Sequence, residues 1–178
     1  MSGCTLTQEQ IKATQAFHGH WCPGLALGLR VAELGLKEFG SAHDEDIVCV
    51  TETDMCAVDA IQFLMSCTFG KGNLIHRDWG KAAFTFYNRD TGKGMRVAVK
   101  EEFWGREMSR EDRIQDIMTA SFKTLFAVTD PLYPVPSRAH RLESLVCEKC
   151  GEKTMESRTR RFGGKILCIP CFTQLEQR

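Results

Sequence analysis

The sequence has no excess charge of either sign and no long apolar run. Its 23 Lys and Arg residues balance 23 Asp and Glu residues, which argues against the basic surface of a general nucleic-acid-binding protein. No apolar run approaches the roughly 18 residues of a membrane span. Residues 1–10 lack the basic and apolar regions of a secretion signal. We therefore expect a cytoplasmic protein that does not enter membranes and does not bind nucleic acid.

The motifs of common redox and nucleotide-dependent enzymes are also missing. The sequence contains no ferredoxin-type run of four cysteines and no dinucleotide-binding glycine fingerprint. Gly92-Lys93-Gly94 lacks both the preceding spacing and the following Ser or Thr of a phosphate loop. At 178 residues, the chain has room for one ordinary domain and a small appendage. Chemistry that depends on an iron–sulfur cluster or a nucleotide is therefore not predicted.

Cysteine, by contrast, is abundant. Nine cysteines in a chain without an export signal favour metal or redox chemistry over a disulfide scaffold. One group of candidate ligands lies within five residues, because two imidazoles and a thiol are combined in His18-Gly19-His20-Trp21-Cys22. The alternative is a turn with a structural cysteine and two surface histidines.

The helix that follows this group is well signalled. Pro23 is typical of the first helical position, so Cys22 is the predicted N-cap. A thiol at that position lies at the positive end of the helix, which favours the thiolate. The helix buries a single apolar stripe: Leu25, Leu29, Ala32, Leu36 and Phe39. Before it, Thr7 and Gln10 have the spacing of a capping box for a helix that ends near Phe17.

A second thiol is predicted near the start of another helix. Residues 47–50 form a short apolar strand, after which Thr53 or Asp54 is expected to cap a helix with Cys56 in its first turn. We expect a cleft that gathers His18, His20, Cys22 and Cys56 around a transition metal. His20, Cys22 and Cys56 are the favoured ligands, with His18 as a further ligand or a base.

The remainder of the core is read from shorter signals. Residues 82–87 and 95–99 are two predicted strands joined by a hairpin. A last helix begins at Ser109 and runs to Leu125. The glycine-spaced turn around Lys71 and Asn73 is either a plain surface turn or an anion-binding loop. In the second case Lys71, Asn73 and Lys81 would orient a small substrate.

Three of the five prolines fall within residues 131–136 and predict a stiff, extended connector. We therefore divide the chain into a core at 1–128, a linker at 129–143 and a C-terminal segment at 144–178.

The C-terminal segment contains a specific metal-binding pattern. Two C-x2-C pairs are separated by seventeen residues, as in structural zinc sites, and the expected ligands are Cys147, Cys150, Cys168 and Cys171. Residues 155–158 and 165–167 are expected to form a hairpin, followed by a polar helix after Cys171, as in a treble clef or zinc ribbon. A segment this short depends on the metal to fold. The basic residues on its hairpin are best explained as a solvated edge.

The segments His18–Gly24 and Glu52–Gln62, together with the turn at 69–74, resemble the E-subunit family of tungsten or molybdenum formylmethanofuran dehydrogenase. The four-cysteine segment is similar to the C-terminal treble clef of some members. This resemblance implies an α+β core of helices packed on a mainly antiparallel sheet, and a homodimer. It also implies a metal-holding cleft, other dehydrogenase subunits as partners, and a link to methanogenesis.

Three functions are compatible with these features. The first is a metal-binding accessory or regulatory protein of one-carbon redox metabolism. The second is a stand-alone enzyme on a small-molecule ligand, with Cys22, Cys56 and His18 as catalytic candidates and a core metal. The third is a zinc-finger adaptor for nucleic acid or protein. We expect no formyl oxidation by the chain alone, because zinc has no redox chemistry.

Overall fold

The computed structural model describes residues 3–105 and 107–176, without the side chain of Trp104. Within them the chain forms two compact units, one that ends at Ala139 and one that begins at His140. None of the helices among these residues combines the length and the apolar content of a membrane span.

The first unit places helices on one mixed sheet. The sheet order is β2-β1-β3-β4-β5; β1 and β2 are parallel, and the other neighbours are antiparallel. This confirms the predicted α+β class with a mainly antiparallel sheet. The helices are α1 (Gln8–His18), α2 (Pro23–Phe39), α3 (Ala57–Met65), α4 (Glu101–Trp104), α5 (Arg110–Thr119) and α6 (Phe122–Leu125). The strands are β1 (Ile47–Thr51), β2 (Leu74–His76), β3 (Ala83–Asn88), β4 (Gly94–Val99) and β5 (Phe126–Thr129).

Helix α2 is the buried centre of this unit. Every residue from Leu25 to Gly35 is buried, because α2 is covered by other helices and by the sheet. The predicted caps are present: the Cys22 sulfur accepts a hydrogen bond from the Leu25 N–H at 3.3 Å. Thr7 and Gln10 form the expected capping box of α1.

Helices α2 and α3 pack closely because glycine lies at their contact. A Cβ added to Gly28 would lie 2.6 Å from the Ala57 Cα, and one added to Gly35 would lie 2.7 Å from the Met65 Cε. These contacts occur in the same order along both helices, so α2 and α3 run in parallel. Their N-terminal ends, which carry Cys22 and Cys56, therefore lie together.

The segment after β5 continues along the sheet. The Tyr87 hydroxyl donates a hydrogen bond to the Tyr133 carbonyl at 2.8 Å. The Arg89 guanidinium donates to the carbonyls of Pro136 at 3.1 Å and Ser137 at 2.8 Å. Val135 packs on a buried cluster of Val48, Val50 and Tyr87. Residues 133–139 of the predicted linker are thus attached to the first unit.

Two features of the first unit differ from the expectations. The predicted long helix from Ser109 is interrupted after Thr119, because Ala120 is extended and the Ser121 hydroxyl accepts a hydrogen bond from the Thr124 N–H, which starts α6. Strands β2 and β5 were not predicted; they contain three and four residues and form the two edges of the sheet.

The second unit contains two hairpins and a helix. They are built from β6 (Ser144–Val146), β7 (Lys153–Met155), β8 (Thr159–Phe162), β9 (Lys165–Cys168) and α7 (Ile169–Glu176). The predicted first hairpin strand at 155–158 is wrong, because Glu156–Arg158 forms a 3-10 turn and residues 159–162 pair with β9. The final helix also begins before Cys171 and not after it.

Candidate metal centres

The four candidate ligands of the core lie together. Their donor atoms are all within 4.8 Å of one another: His18, His20, Cys22 and Cys56. His18 is the last residue of α1, and Cys22 and Cys56 directly precede α2 and α3. The short connection between α1 and α2 thus brings the imidazoles to the shared N-terminal end of two helices.

A carboxylate orients His18. The Nδ1 of His18 lies 2.7 Å from Asp59 Oδ2, so Nδ1–H donates to the carboxylate and Nε2 is the free donor atom. That Nε2 lies 3.8 Å from the Cys22 sulfur. Asp59 is itself held, since its Oδ1 accepts a hydrogen bond from the Gln62 amide at 3.3 Å. A carboxylate behind a histidine is the usual second layer of a metal site.

Asp59 is a functional candidate that the sequence analysis missed. Its signal was its position on α3, three residues after Cys56, where side chains share one side of a helix. The partner of that carboxylate, His18, is 41 residues away, and such a long-range pair cannot be read from spacing.

The distances fit one tetrahedral ion. Zn–N bonds of about 2.0 Å and Zn–S bonds of about 2.3 Å place two such donor atoms about 3.6 Å apart, close to the 3.8 Å between His18 Nε2 and the Cys22 sulfur. Gly24 leaves room for this group. A Cβ there would lie 3.7 Å and 3.8 Å from the Cys56 and Cys22 sulfurs.

The two thiols differ in their surroundings. The Cys22 sulfur accepts the Leu25 N–H, whereas the Cys56 side chain caps no backbone N–H. Burial, and then the hydrogen bond and charge of Cys22, raise the pKa of the Cys56 thiol. The expectation that Cys56 is a thiolate by position alone is therefore wrong, because α3 begins at Ala57 and Thr53 accepts instead from the Met55 N–H. A bound cation would favour the thiolate.

His20 is the exposed member of the group. Its ring centroid lies 4.3 Å from that of His18, so both imidazoles reach the cluster. Among the residues that the structure describes, no hydrogen bond to the His20 ring is present. His18 is consequently fixed by Asp59, while His20 is held only by its stacking on His18.

A cavity of about 430 Å³ adjoins the cluster. Three of the four donor residues belong to its wall, and the complete lining is His20, Cys22, Pro23, Gly24, Leu27, Thr53, Met55, Cys56, Ala57, Ala82, Phe84 and Val99. Its base is formed by the first turns of α2 and α3 and by β3 and β4.

The three residues proposed to orient a substrate are not part of this lining. Asn73 is fully buried, and its amide nitrogen donates to backbone carbonyls that include Ile47 at 2.9 Å. Its oxygen accepts the Thr68 N–H at 2.9 Å, so the anion-binding interpretation of Asn73 is replaced by a structural one. Lys71 and Lys81 also lie outside the cavity wall, and the Lys81 ammonium lies 5.9 Å from the centre of the Trp79 ring.

A buried ion pair holds the strand end that leads to Cys56. Glu52 follows β1 and is 2 % exposed. Both carboxylate oxygens accept hydrogen bonds from Arg96 of β4, each at 2.9 Å. This bidentate contact fixes the start of the loop that carries Thr53 and Cys56.

The second unit contains the predicted four-cysteine site. The sulfurs of Cys147, Cys150, Cys168 and Cys171 are all within 4.8 Å of one another. The Cys150 and Cys168 sulfurs are 3.9 Å apart, near the roughly 3.8 Å of two thiolates on one tetrahedral zinc. Backbone N–H groups of Cys150 and Cys168 lower the pKa of the Cys147 thiol to about 6. The segment is a four-cysteine zinc-binding site.

The α+β core and the two clusters of metal ligands define a metal-binding protein, and comparison with known sequences identifies its family. Residues 17–127 match the family described as FmdE, molybdenum formylmethanofuran dehydrogenase operon. The chain belongs to this family. Residues 141–177 match the prokaryotic dksA/traR C4-type zinc finger.

Two individual proteins are informative. A probable S-adenosyl-L-methionine-binding protein of Archaeoglobus fulgidus is 31% identical over 202 residues, which cover 93% of this chain and 53% of that protein. The chain thus spans about half the length of this relative. An FmdE-like protein of tungsten formylmethanofuran dehydrogenase from Syntrophus aciditrophicus has the same fold, with a TM-score of 0.72, 22% identity and complete coverage of both chains.

Proposed function

We propose that the core unit binds one transition-metal ion through His18, Cys22 and Cys56, with His20 as the fourth ligand. The observation that carries this proposal is the Asp59-held imidazole beside two thiols, at the shared end of α2 and α3. Asp59 orients Nε2 of His18 toward the ion. The helix ends add positive potential that favours the two thiolates. Imidazole and thiolate donors together suit zinc and neighbouring divalent metals.

We further propose that the whole protein is a metal-binding accessory protein of a one-carbon oxidoreductase system in the cytoplasm. Family membership supports this role, as does the absence from the sequence of an iron–sulfur or dinucleotide motif. A subunit without an electron carrier needs partners that hold one. Other dehydrogenase subunits are the proposed partners, and the chain is proposed to be a homodimer.

A stand-alone metal-dependent enzyme is the second candidate. The cavity beside the core cluster favours it, because a purely structural metal site is usually closed and has no space for a ligand next to it. In that case Cys22, Cys56 and His18 would hold the ion, and the reacting molecule would lie in the cavity.

Metal content of the full chain tests the first proposal. The chain is prepared with excess cobalt or zinc under reducing conditions, dialysed, and analysed for bound metal. We expect about two ions per chain, and about one for the Cys22→Ser, Cys56→Ser double variant. Cys4→Ser is the control, because Cys4 belongs to neither cluster. A wild-type chain that holds only one ion, with no loss in the double variant, would remove the core site.

An anaerobic assay separates the accessory protein from the enzyme. The metal-loaded chain is incubated with an N-formyl amine and an artificial electron acceptor, without other subunits. We expect no turnover above the same double variant. Clear turnover by the wild-type chain alone would establish a redox enzyme and refute the accessory role.

A further inference from the structure

The wall of the core cavity is divided into two chemically different parts. One part carries donor atoms of the cluster, from His20, Cys22 and Cys56. The opposite part is apolar and includes Leu27, Phe84 and Val99. A molecule in this cavity therefore has soft metal-ligand chemistry at one end and hydrocarbon contacts around the rest of its surface.

The cavity offers little to a charged or strongly polar ligand. Of the described residues that line it, none is Asp, Glu, Lys or Arg. The Thr53 hydroxyl oxygen already accepts the Met55 N–H. Burial of a charged group against such a wall costs free energy that nothing in the wall returns. The volume, about 430 Å³, lies within the range of small-molecule sites.

The four donor residues are not equally fixed. His18 is held by Asp59 at 2.7 Å and does not line the cavity. Cys22 is held as the cap of α2. His20 is exposed, lines the cavity and has no such support in the described part of the chain. His20 is thus the ligand that an incoming donor atom replaces most readily.

We propose that this cavity binds a small molecule with a compact apolar body and a single soft donor atom, and that this donor takes the place of His20 beside Cys22 and Cys56. The inference rests on the proposed core metal. It assigns the class of ligand: uncharged around its body, without phosphate or carboxylate groups, and small enough for the cavity.

Straight-chain thiols are suitable probes for this class. The full chain is loaded with cobalt, which reports new sulfur ligands through its visible and near-ultraviolet absorption, and is titrated anaerobically with 1-propanethiol, 1-butanethiol and 1-pentanethiol. On binding, the thiol proton passes to the buffer. We expect a spectral change that saturates, with affinity rising about fourfold per methylene group, as expected for its removal from water. For 3-mercaptopropionate, which carries a carboxylate in place of the last carbons, we expect binding at least tenfold weaker than for 1-butanethiol.

A variant that fills the cavity links the effect to its location. Ala82 lies in the wall and is exposed, so Ala82→Phe should leave the fold and the cobalt content unchanged and abolish the dependence on chain length. The matched control is Ala127→Phe on β5, which is also exposed and outside the lining. It should behave like the wild-type chain.

The outcomes separate the two proposals. One cobalt per chain, with no response that depends on Cys22 and Cys56, would refute the core metal itself. Two cobalt ions without a thiol response would show a closed site and overturn the ligand inference alone. An affinity independent of chain length, or unchanged in Ala82→Phe, would also overturn it.

Discussion

Gly28 of α2 lies against Ala57 of α3 so closely that a Cβ on Gly28 would be 2.6 Å from the Ala57 Cα. This contact holds the first turns of the two helices together, and with them Cys22 and Cys56. We predict that Gly28→Ala forces the helices apart and destabilises the fold by about 1–3 kcal/mol. The core metal should bind more weakly as well, while zinc in the second unit is retained. Denaturant unfolding and metal analysis measure the two effects.

Gly70→Ala is the matched control for this change, because a Cβ at Gly70 meets no atom within 4 Å. It should leave both stability and metal content close to wild type. A Gly28→Ala chain that is as stable as Gly70→Ala and binds the core metal equally well would show that the close helix contact does not set the site.

Asp59→Asn tests the support of His18. An amide in place of the carboxylate weakens the orientation and basicity of the imidazole, so we expect a 10–100-fold loss of core metal affinity, measured by competition with a chelator. Asp54→Asn is the control, since Asp54 is exposed on the same loop. Equal affinities in the two variants would rule out a metal-supporting role for Asp59.

The pH dependence of zinc binding in the second unit follows from its thiols. A hydrogen bond with Cys168, together with burial, raises the pKa of the Cys171 thiol to about 12. Zinc must displace that proton, so affinity should rise at least tenfold per pH unit from pH 6 to 8. Cys147, with a pKa of about 6, is already mainly thiolate in this range and adds to the slope only at lower pH. Chelator competition at several pH values measures the slope, and a flat profile would contradict the prediction.

The pair formed by Glu52 and Arg96 makes a prediction about stability. Arg96→Met leaves the buried Glu52 carboxylate without its cation, and we expect a loss of about 3–5 kcal/mol. The Glu52→Gln, Arg96→Met double variant should recover part of this loss, because no buried charge remains. Thermal or denaturant unfolding of both chains provides the comparison. A double variant less stable than Arg96→Met would show that the pair contributes net stability beyond its own burial.

Local signals were sufficient for the parts of the site that lie next to helix starts. Pro23 marks the first residue of α2, so the cap role of Cys22 was predictable, and the Thr7–Gln10 capping box was equally clear. The four cysteines of the second unit have a spacing that only metal coordination explains well. In each case a few adjacent residues carry the whole physical reason.

Long-range contacts were the parts that spacing did not reveal. Asp59 and His18 meet because α1 packs on α3, and no local pattern records that packing. Strands β2 and β5 are short and depend on β1 and β4 for their hydrogen bonds. Asn73 has the sequence context of a ligand-binding turn, yet it is buried and its amide bonds the backbone from three directions.

The attachment of residues 133–139 to the sheet has a consequence for any attempt to separate the two units. A truncation after residue 128, where the sequence suggests a boundary, would remove the acceptors of the Tyr87 hydroxyl and the Arg89 guanidinium. It would also uncover Val48 and Val50, which Val135 packs against. Such a fragment would expose a new apolar face and tend to aggregate, whereas a cut after Ala139 leaves these partners in place.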